Sequence, residues 1–422
     1  MKLIATLLAL AVAVGADPTA AAARTAAGAG EASRASAGTV LAAAERLATW
    51  QLAHMPLPGS GAGSAAAGIP SGAAPDPVLV MFARAESASN PRSWHQGAFW
   101  LGLTELADRT ASPQLRDAIL THGRAAQWQL GERLYNADDQ LIGRTYLWAA
   151  DHGAGRAAVA PLRATFDRIL ANPPRTHLGL YVGPEGMRGY PKAQCLTRWC
   201  WADALFMAPA TWLELSRATG DRRYRDFALA EFWAASTFLY DPGERLYFRD
   251  SRFFDQRDEA GRKIFWSRGN GWVLAGLVQM IEVLPPGDPE RHRLEGHFRE
   301  FAARVVQLQK SDGTWPSSLL APEGSAPETS GAALFTYGLA FGVAHGLLPR
   351  ADYEPAVRRG WQALQAALRP DGSLGWVQAA GDRPGPSAAD GTQLYASGAY
   401  LLAATAIADL DGTASAPRPL QR

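Results

Sequence analysis

Two kinds of helix alternate along most of this 422-residue chain, and the alternation limits the folds it can adopt. Each unit begins with an apolar helix rich in Gly and Ala, turns through polar residues, and continues as an amphipathic helix. Units of about 60 residues are typical of helical-hairpin repeats. The predicted pairs are 99–109 with 114–130, 203–219 with 224–239, 271–284 with 291–309, and 332–347 with 353–368.

The composition of the paired helices predicts two layers. The first helix of each pair is apolar on all sides and suits an inner layer, whereas the second carries Arg and Glu on one side and suits an outer layer. A helix over 39–55 precedes the pairs, an apolar helix over 394–407 follows them, and 245–249 is the best strand candidate. Around six such hairpins could form an open solenoid or close into a ring. We favour an all-α fold, an (α/α)6 barrel with a pocket where the inner helices begin.

The two ends of the chain carry different signals. Residues 1–16 have one basic residue, Lys2, then an apolar stretch and small residues, which is the layout of a secretory signal peptide. Residues 17–38 are mostly Ala, Gly, Ser and Thr and are expected to form a disordered leader. The folded domain is expected over 39–411 and a tail over 412–422. We expect a protein exported to a bacterial periplasm, without a membrane span, as a monomer or weak dimer.

Charge and cysteine content narrow the classes of partner. The formal net charge of +1 gives no reason to expect a nucleic acid or an anionic membrane. The sequence shows no His and Cys cluster that would complete a metal site, and we expect no cofactor. Cys195 and Cys200 could pair in an oxidising compartment or remain two buried thiols, and both alternatives stay open. Fourteen tryptophans, several beside Gly, Asp and Arg, suit a carbohydrate-facing cleft.

One carboxylate, Asp203, lies within the almost wholly apolar run 199–209. Apolar surroundings disfavour the charged form and raise the pKa of an Asp, so that it holds its proton near neutral pH, as a general acid must. Trp199 and Trp201 lead into this run with flat aromatic faces of the kind that bind sugars. The alternative is that Asp203 caps a helix over 204–217, which Pro209 should bend or stop.

The run 265–272 places an arginine between aromatic residues. Arg268 has a planar fork suited to a carboxylate, and it lies between Trp266 and Trp272. Glycines on both sides of Asn270 permit tight backbone geometry, and we expect Asn270 to bind the substrate. The alternative is a loop with an ordinary Arg–Trp stack.

Two further stretches combine polar residues with a predicted helix start. Asp138 and Asp139 are adjacent carboxylates before a helix expected over 141–149, and the alternative is a solvated turn. The run 328–331 opens the next inner helix and could form a polar rim of the pocket or an ordinary cap by Thr329 or Ser330. The polar residues of this run are Glu328, Thr329 and Ser330.

The runs 201–207, 266–272 and 328–331, in this order, resemble glycoside hydrolase family 105, the unsaturated rhamnogalacturonyl hydrolases. The related family 88 of unsaturated glucuronyl hydrolases is the nearer alternative. The resemblance covers 94–402 and implies an (α/α)6 barrel that removes a 4,5-unsaturated uronic acid from an oligosaccharide end. It implies that Asp203 is the general acid/base and that Asp138 is a second carboxylate of the site. The positions implied to line the uronate subsite are Trp201, Trp266, Arg268 and Trp272.

The chain departs from the family pattern at two histidines that border the sugar. A Tyr-x-His pattern is replaced by Tyr247-Phe248-Arg249, and a His that precedes the catalytic Asp has no counterpart between 189 and 198. Arg249 could offer a cationic contact to the substrate instead. The departures leave the exact substrate open.

The chemistry implied by the resemblance suits a lone buried acid. An unsaturated uronide is an enol ether, and its hydration needs one placed acid that then acts as a base toward water. Ordinary glycosidases instead need two carboxylates flanking the anomeric carbon. The rivals are a saturated glycosidase or a sugar epimerase, and a non-catalytic sugar-binding solenoid. The scattered histidines oppose an epimerase, and Asp203 within an apolar run opposes a solenoid.

Overall fold

The computed structural model describes residues 37–56, 84–179, 197–321 and 325–412, and the statements below concern these ranges. In chain order the helices are α1 (Ala37–Ala53), α2 (Trp94–Thr110), α3 (Pro113–Ala125), α4 (Gly143–Ala149), α5 (Ala160–Ala171), α6 (Ala204–Met207), α7 (Pro209–Thr219), α8 (Arg222–Leu239), α9 (Ser267–Val283), α10 (Pro289–Gln307), α11 (Thr329–Ala344), α12 (Arg350–Ala366) and α13 (Leu394–Leu410). Short helical turns lie at Ala137–Gln140, Ala150–Ala154, Arg156–Val159 and Ser251–Phe253. Strands β1 (Tyr240–Asp241) and β2 (Leu246–Tyr247) pair antiparallel.

The helices form a closed double ring. Helices α2, α4, α7, α9, α11 and α13 lie inside, and each contacts the next in this order. The ring closes because α13 packs against both α11 and α2. The outer layer includes α1 on α13, α3 on α2, α8 on α7, α10 on α9 and α12 on α11. This arrangement confirms the predicted (α/α)6 barrel and excludes the open solenoid.

Burial follows the composition of the two helix types. Every residue of α11 from Thr329 to Val343 is buried, because small and apolar side chains on all sides pack against the neighbouring helices. In α10 only one stripe is buried, and Arg and Glu side chains occupy much of the other side. The buried stripe consists of Arg291, Leu294, Phe298, Phe301, Ala302 and Val305.

Helices α2 and α13 cross with their backbones in contact. A Cβ added at Gly398 would lie 2.1 Å from the carbonyl oxygen of Ala98, and one added at Gly102 would lie 2.4 Å from the carbonyl oxygen of Gly398. Backbone atoms of packed helices cannot move aside cheaply. Glycine on both helices is therefore required to close the ring.

We expect Gly398→Ala to destabilise the protein by about 2–3 kcal/mol, because the added methyl group forces α13 away from α2. The matched control is Gly296→Ala on the exposed side of α10, where an added Cβ meets nothing within 4 Å. There the substitution should stabilise the helix by about 0.5–1 kcal/mol. Urea unfolding followed by circular dichroism measures both, and equal effects at the two positions would contradict the close crossing.

Some elements differ from their predicted bounds. Pro209 divides the helix predicted over 203–219 into α6 and α7, as expected of a residue without a backbone N–H. Helix α5 was not predicted, and α1 begins at Ala37, inside the predicted leader. Only Leu246–Tyr247 of the candidate strand 245–249 pairs as a strand. The predicted signal peptide and most of the predicted tail lie outside the described residues.

Cys200 is disulfide-bonded, so the disulfide alternative is confirmed for this residue. Cys195, the other cysteine of the chain, lies outside the described residues. Cys200 is buried shortly before α6, so the bond restrains the chain where that helix begins. None of the helices in the described ranges combines the length and the apolar character needed to cross a bilayer.

Candidate active site

The polar residues singled out from the sequence gather at the end of the barrel where the inner helices begin. Asp203 directly precedes α6, Trp266 precedes α9, and Glu328 precedes α11. The turn Ala137–Gln140 leads into α4. Because the inner helices run parallel in the ring, residues distant in sequence meet at this end.

Asp203 does not act as a helix cap. Its side chain makes no capping hydrogen bond to α6 within the described structure, which excludes the capping alternative. The residue is 8% exposed. Burial raises the pKa of its carboxyl, and the positive charges of Arg249 and Arg268 offset only part of that rise. Asp203 thus has the environment of a general acid.

Arg249 is the cation that contacts Asp203. Its Nε donates to Asp203 Oδ2 at 3.3 Å, and its Nη1 donates to Asp250 Oδ2 at 2.9 Å. Asp250 is fully buried and also binds Arg252, so it fixes the Arg249 fork in place. Among the residues that the structure describes, none accepts from Arg249 Nη2, and the side chain is 19% exposed. Arg249 can therefore bind an anion beside Asp203, as predicted for a substrate contact.

The two adjacent carboxylates of the 3-10 turn have different environments. Asp139 accepts from the backbone N–H of Arg133 at 2.7 Å and from its Nη2 at 2.6 Å, and it is buried. Asp138 is half-buried, and its carboxyl accepts no hydrogen bond from the residues described. Burial and the negative charges of Glu86 and Asp203 raise the pKa of Asp138 well above its ordinary value, against the lowering effect of Arg133. Asp139 is structural, and Asp138 is available for chemistry.

The structure corrects the prediction that Arg268 presents its fork to the uronate. The residue is fully buried, and its guanidinium lies over the rings of Trp266 at 4.4 Å and Tyr395 at 4.8 Å. Its Nη1 donates to the backbone oxygen of Gln378 and its Nη2 to that of Ala379, each at 3.0 Å. The Arg–Trp stack of the alternative is confirmed, but Arg268 lies in the first turn of α9 and not in a loop. Arg268 still contributes positive charge near Asp203.

Asn270 is also structural, which corrects its assignment to substrate binding. Its Oδ1 accepts from the backbone N–H of Tyr247 at 2.8 Å. Its Nδ2 donates to the backbone oxygens of Tyr247 and Trp266, each at 2.9 Å. Asn270 therefore joins β2 to the start of α9, and both N–H groups of its side-chain amide are already used.

The run Glu328–Ser330 is a helix cap and not a polar rim. Glu328 accepts from the backbone N–H groups of Ser330 at 3.1 Å and Gly331 at 2.8 Å, so the cap is Glu328, not Thr329 or Ser330. Ser330 donates its hydroxyl to Glu328 at 2.6 Å, and Thr329 donates its own to Gly375 O at 2.8 Å. All three predicted residues are fully buried, which corrects their assignment to substrate binding.

The three tryptophans predicted to line the uronate subsite lie close to the start of α6 or α9. Trp201, Trp266 and Trp272 are at most 3% exposed, so little of their ring surface is open to a sugar. The ring centroid of Trp272 lies 4.6 Å from that of Phe206. Contact between these tryptophans and the uronate stays a prediction.

Gln378 is a structural residue of the site that the sequence analysis missed. Its side-chain oxygen accepts from Trp266 Nε1 at 3.0 Å, and its backbone N–H donates to Glu328 Oε1 at 3.3 Å. Its backbone oxygen accepts from Arg268 at 3.0 Å. Gln378 thus joins the runs 266–272 and 328–331. Because it lies more than a hundred residues after Trp266, no local sequence pattern could predict this contact.

His95 and Trp94, at the start of α2, were also missed. The two rings stack with centroids 3.7 Å apart. His95 is 4% exposed, and its Nδ1 finds no partner in the described structure. Burial lowers the pKa of His95 to about 4, so the ring is neutral at neutral pH. The sequence feature that could have pointed to His95 is a polar residue at the start of an apolar helix.

Metal ligands do not gather in the described ranges: no group of three or more His, Cys, Asp and Glu side chains there is placed to hold an ion.

Known proteins with similar sequences include two named "Unsaturated 3S-rhamnoglycuronyl hydrolase". The protein from Alteromonas sp. (strain LOR) is 40% identical over 325 residues, which covers 76% of this chain and 78% of the relative. The protein from Formosa agariphila is 34% identical over 330 residues, which covers 76% of this chain and 85% of the relative.

Solved structures share the fold. One described as glycosyl hydrolase family 88 from Bacteroides vulgatus is 24% identical, with a TM-score of 0.66 over 79% of this chain and 98% of its own. A possible GH105 member from Salmonella enterica is 17% identical, with a TM-score of 0.67 over 88% of this chain and 94% of its own. A structure described as a polysaccharide lyase is 28% identical, with a TM-score of 0.65 over 75% of this chain and 90% of its own.

The sequence resemblance to families 105 and 88 is confirmed. The family model described as Glycosyl Hydrolase Family 88 matches residues 81–410, which is most of the chain. The protein belongs to glycosyl hydrolase family 88.

Proposed function

We propose that the protein removes a 4,5-unsaturated uronic acid from the non-reducing end of lyase-generated oligosaccharides by hydrating the C4=C5 bond. The observation that carries this proposal is Asp203, a buried carboxyl that caps no helix in the described structure and contacts Arg249. Two relatives whose names contain "rhamnoglycuronyl" support a rhamnose-linked uronic acid as the substrate.

The reaction uses Asp203 twice. The protonated carboxyl delivers its proton to C4, and the double-bond electrons leave an oxocarbenium-like centre at C5. A water molecule attacks C5, and its proton passes to the Asp203 carboxylate, which restores the acid. The resulting hemiketal opens and releases the neighbouring sugar. No second carboxylate across the glycosidic bond is needed, in contrast to an ordinary glycosidase.

Arg249 is the proposed anchor of the substrate carboxylate, in the role first predicted for Arg268. Arg249→Gln should raise KM about 10- to 150-fold, because a charge-assisted hydrogen bond contributes about 1.5–3 kcal/mol. Since the charge of Arg249 lowers the pKa of Asp203, its removal raises that pKa, and the alkaline limb of the pH–rate profile should move to higher pH.

The control for this substitution is Arg262→Gln, because Arg262 pairs with Asp258 in a loop and contacts none of the site residues described above. It should leave both KM and the pH profile unchanged. An Arg249 variant with the KM of the wild type for the free acid would remove Arg249 from the uronate subsite.

The substrate is tested on a panel of lyase-generated oligosaccharides with one unsaturated uronic acid and different neighbouring sugars. We expect the highest kcat/KM when rhamnose follows the uronic acid, including oligosaccharides of the rhamnogalacturonan type that pectin degradation yields. Preference for another neighbouring sugar would leave the reaction type in place and overturn the rhamnose assignment.

We also propose that the protein is exported to the periplasm and acts as a monomer or weak dimer. The layout of residues 1–16 and the disulfide at Cys200 support export. N-terminal sequencing of the protein from a periplasmic fraction should find a chain that begins after residue 16. Light scattering measures the oligomeric state.

A further inference from the structure

One guanidinium is shared between two carboxylates at the edge of the site. Arg133 Nη1 donates to Glu86 Oε1, while its Nε and Nη2 donate to Asp139 at 3.1 Å and 2.6 Å. The second oxygen of Glu86 accepts from Trp94 Nε1 at 2.9 Å. Glu86 is thereby fixed by two donors on different parts of the chain. The single positive charge of Arg133 neutralises only one of the two carboxylates.

Asp138 lies beside this cluster without a hydrogen-bond donor of its own among the residues described. The charges that act on its carboxyl are those of Glu86, Arg133, Asp203 and Asp139. The groups that face Glu86 are Arg133, His95 and the Trp94 N–H, and His95 is neutral at neutral pH. Burial is the largest cause that favours the protonated form of Asp138, and the surplus of negative charge around it, led by Glu86, adds to this effect.

We propose that Glu86 is a positioning residue of the reaction: fixed by Arg133 and Trp94, it keeps Asp138 protonated beside Asp203. This inference rests on the proposed function, because it takes the substrate to be an anion. An ionised Asp138 would repel the substrate carboxylate, whereas a protonated one can donate a hydrogen bond. Turnover then requires that Asp138 and Asp203 both carry a proton when the substrate binds.

The first test is the pH dependence of kcat/KM in Glu86→Gln. Gln has nearly the same shape and can still accept from Trp94, but it removes the negative charge. The pKa of Asp138 falls, so Asp138 ionises earlier as the pH rises. The alkaline limb should move to lower pH, because the carboxyl with the lower pKa sets the limb and in this variant that carboxyl is Asp138. The matched control is Glu132→Gln, because Glu132 is exposed and pairs with Arg84, and it should leave the limb in place.

The second test needs no substrate. The C=O stretch of a protonated carboxyl is followed by infrared spectroscopy during a pH titration, and the band lost in Asp138→Asn is assigned to Asp138. In Glu86→Gln this band should titrate at lower pH than in the wild type. Glu86→Gln could lower the stability or kcat and yet change neither the infrared titration of Asp138 nor the alkaline limb of kcat/KM. This result would show that Glu86 is only structural. The Asp138 band could shift in Glu86→Gln although the wild-type protein turns over no unsaturated uronide. This result would overturn the proposed function but would support the effect of the Glu86 charge on Asp138.

Discussion

Asp203→Asn should lower kcat by at least about a thousandfold, because it removes both the proton donor to C4 and the base that activates water. Asn has nearly the shape of Asp, so the barrel and substrate binding should be preserved. Steady-state kinetics, circular dichroism and substrate affinity of the same preparation measure the three effects. A variant that keeps most of its kcat would remove Asp203 from the mechanism.

Asp221 provides the matched control, because it also directly precedes a helix but caps it. Its carboxylate accepts from the backbone N–H of Arg223 at 3.0 Å, whereas Asp203 makes no such bond in the described structure. Asp221→Ala should cost about 1 kcal/mol of stability and leave kcat unchanged. Asp203→Ala should leave the stability nearly unchanged and lower kcat strongly. If Asp221→Ala lowered kcat and Asp203→Ala lowered only the stability, the assignment of Asp221 as a cap and of Asp203 as the acid would be wrong.

Turnover in heavy water should place one non-exchanging deuterium at C4 of the released uronic acid. Hydration puts a solvent-derived proton on C4 and a solvent oxygen on C5, whereas direct glycosidic cleavage changes neither atom. The ultraviolet absorbance of the conjugated double bond should disappear in step with sugar release. Nuclear magnetic resonance of the product and absorbance of the reaction mixture measure the two effects.

The saturated uronide is the matched control substrate and should not react, because it has no enol ether to protonate. Cleavage of this analogue at a comparable rate, or product without deuterium at C4, contradicts hydration. Asp138 would then be examined as a partner carboxylate across the bond. A gain of absorbance during the reaction would instead indicate an elimination, which is the reaction of a polysaccharide lyase.

The barrel could be predicted because the composition of each helix indicates whether it belongs to the inner or the outer layer. Helix α11 is apolar on all sides and buried, and α10 is apolar on one stripe and lies outside. The spacing of apolar residues within a short stretch is enough to predict such helices. Helix α5 was missed because only three of its residues are buried, which leaves a weak apolar pattern.

The roles of the site residues depended on distant contacts that a local pattern does not contain. Asp138 and Asp139 look alike in the sequence, and only the position of Arg133 decides which of them is bound. The fork of Arg268 suits a carboxylate, but the backbone oxygens of residues 378 and 379 occupy it. The motifs therefore place the candidate site at the end of the barrel where the inner helices begin, but several residues that they assign to the substrate have structural contacts instead.

The crossing of α2 and α13 has a consequence for how the protein is made. The two helices meet at Gly102 and Gly398, and Arg109 of the first pairs with Asp409 of the second at 2.6 Å. Arg109 and Asp409 are 300 residues apart in the sequence, so the ring stays open on the ribosome until the last helix emerges. Until then the faces of α2 and α11 that pack against α13 have no partner and stay open to solvent. Premature termination before α13 yields an aggregation-prone fragment rather than a weak enzyme.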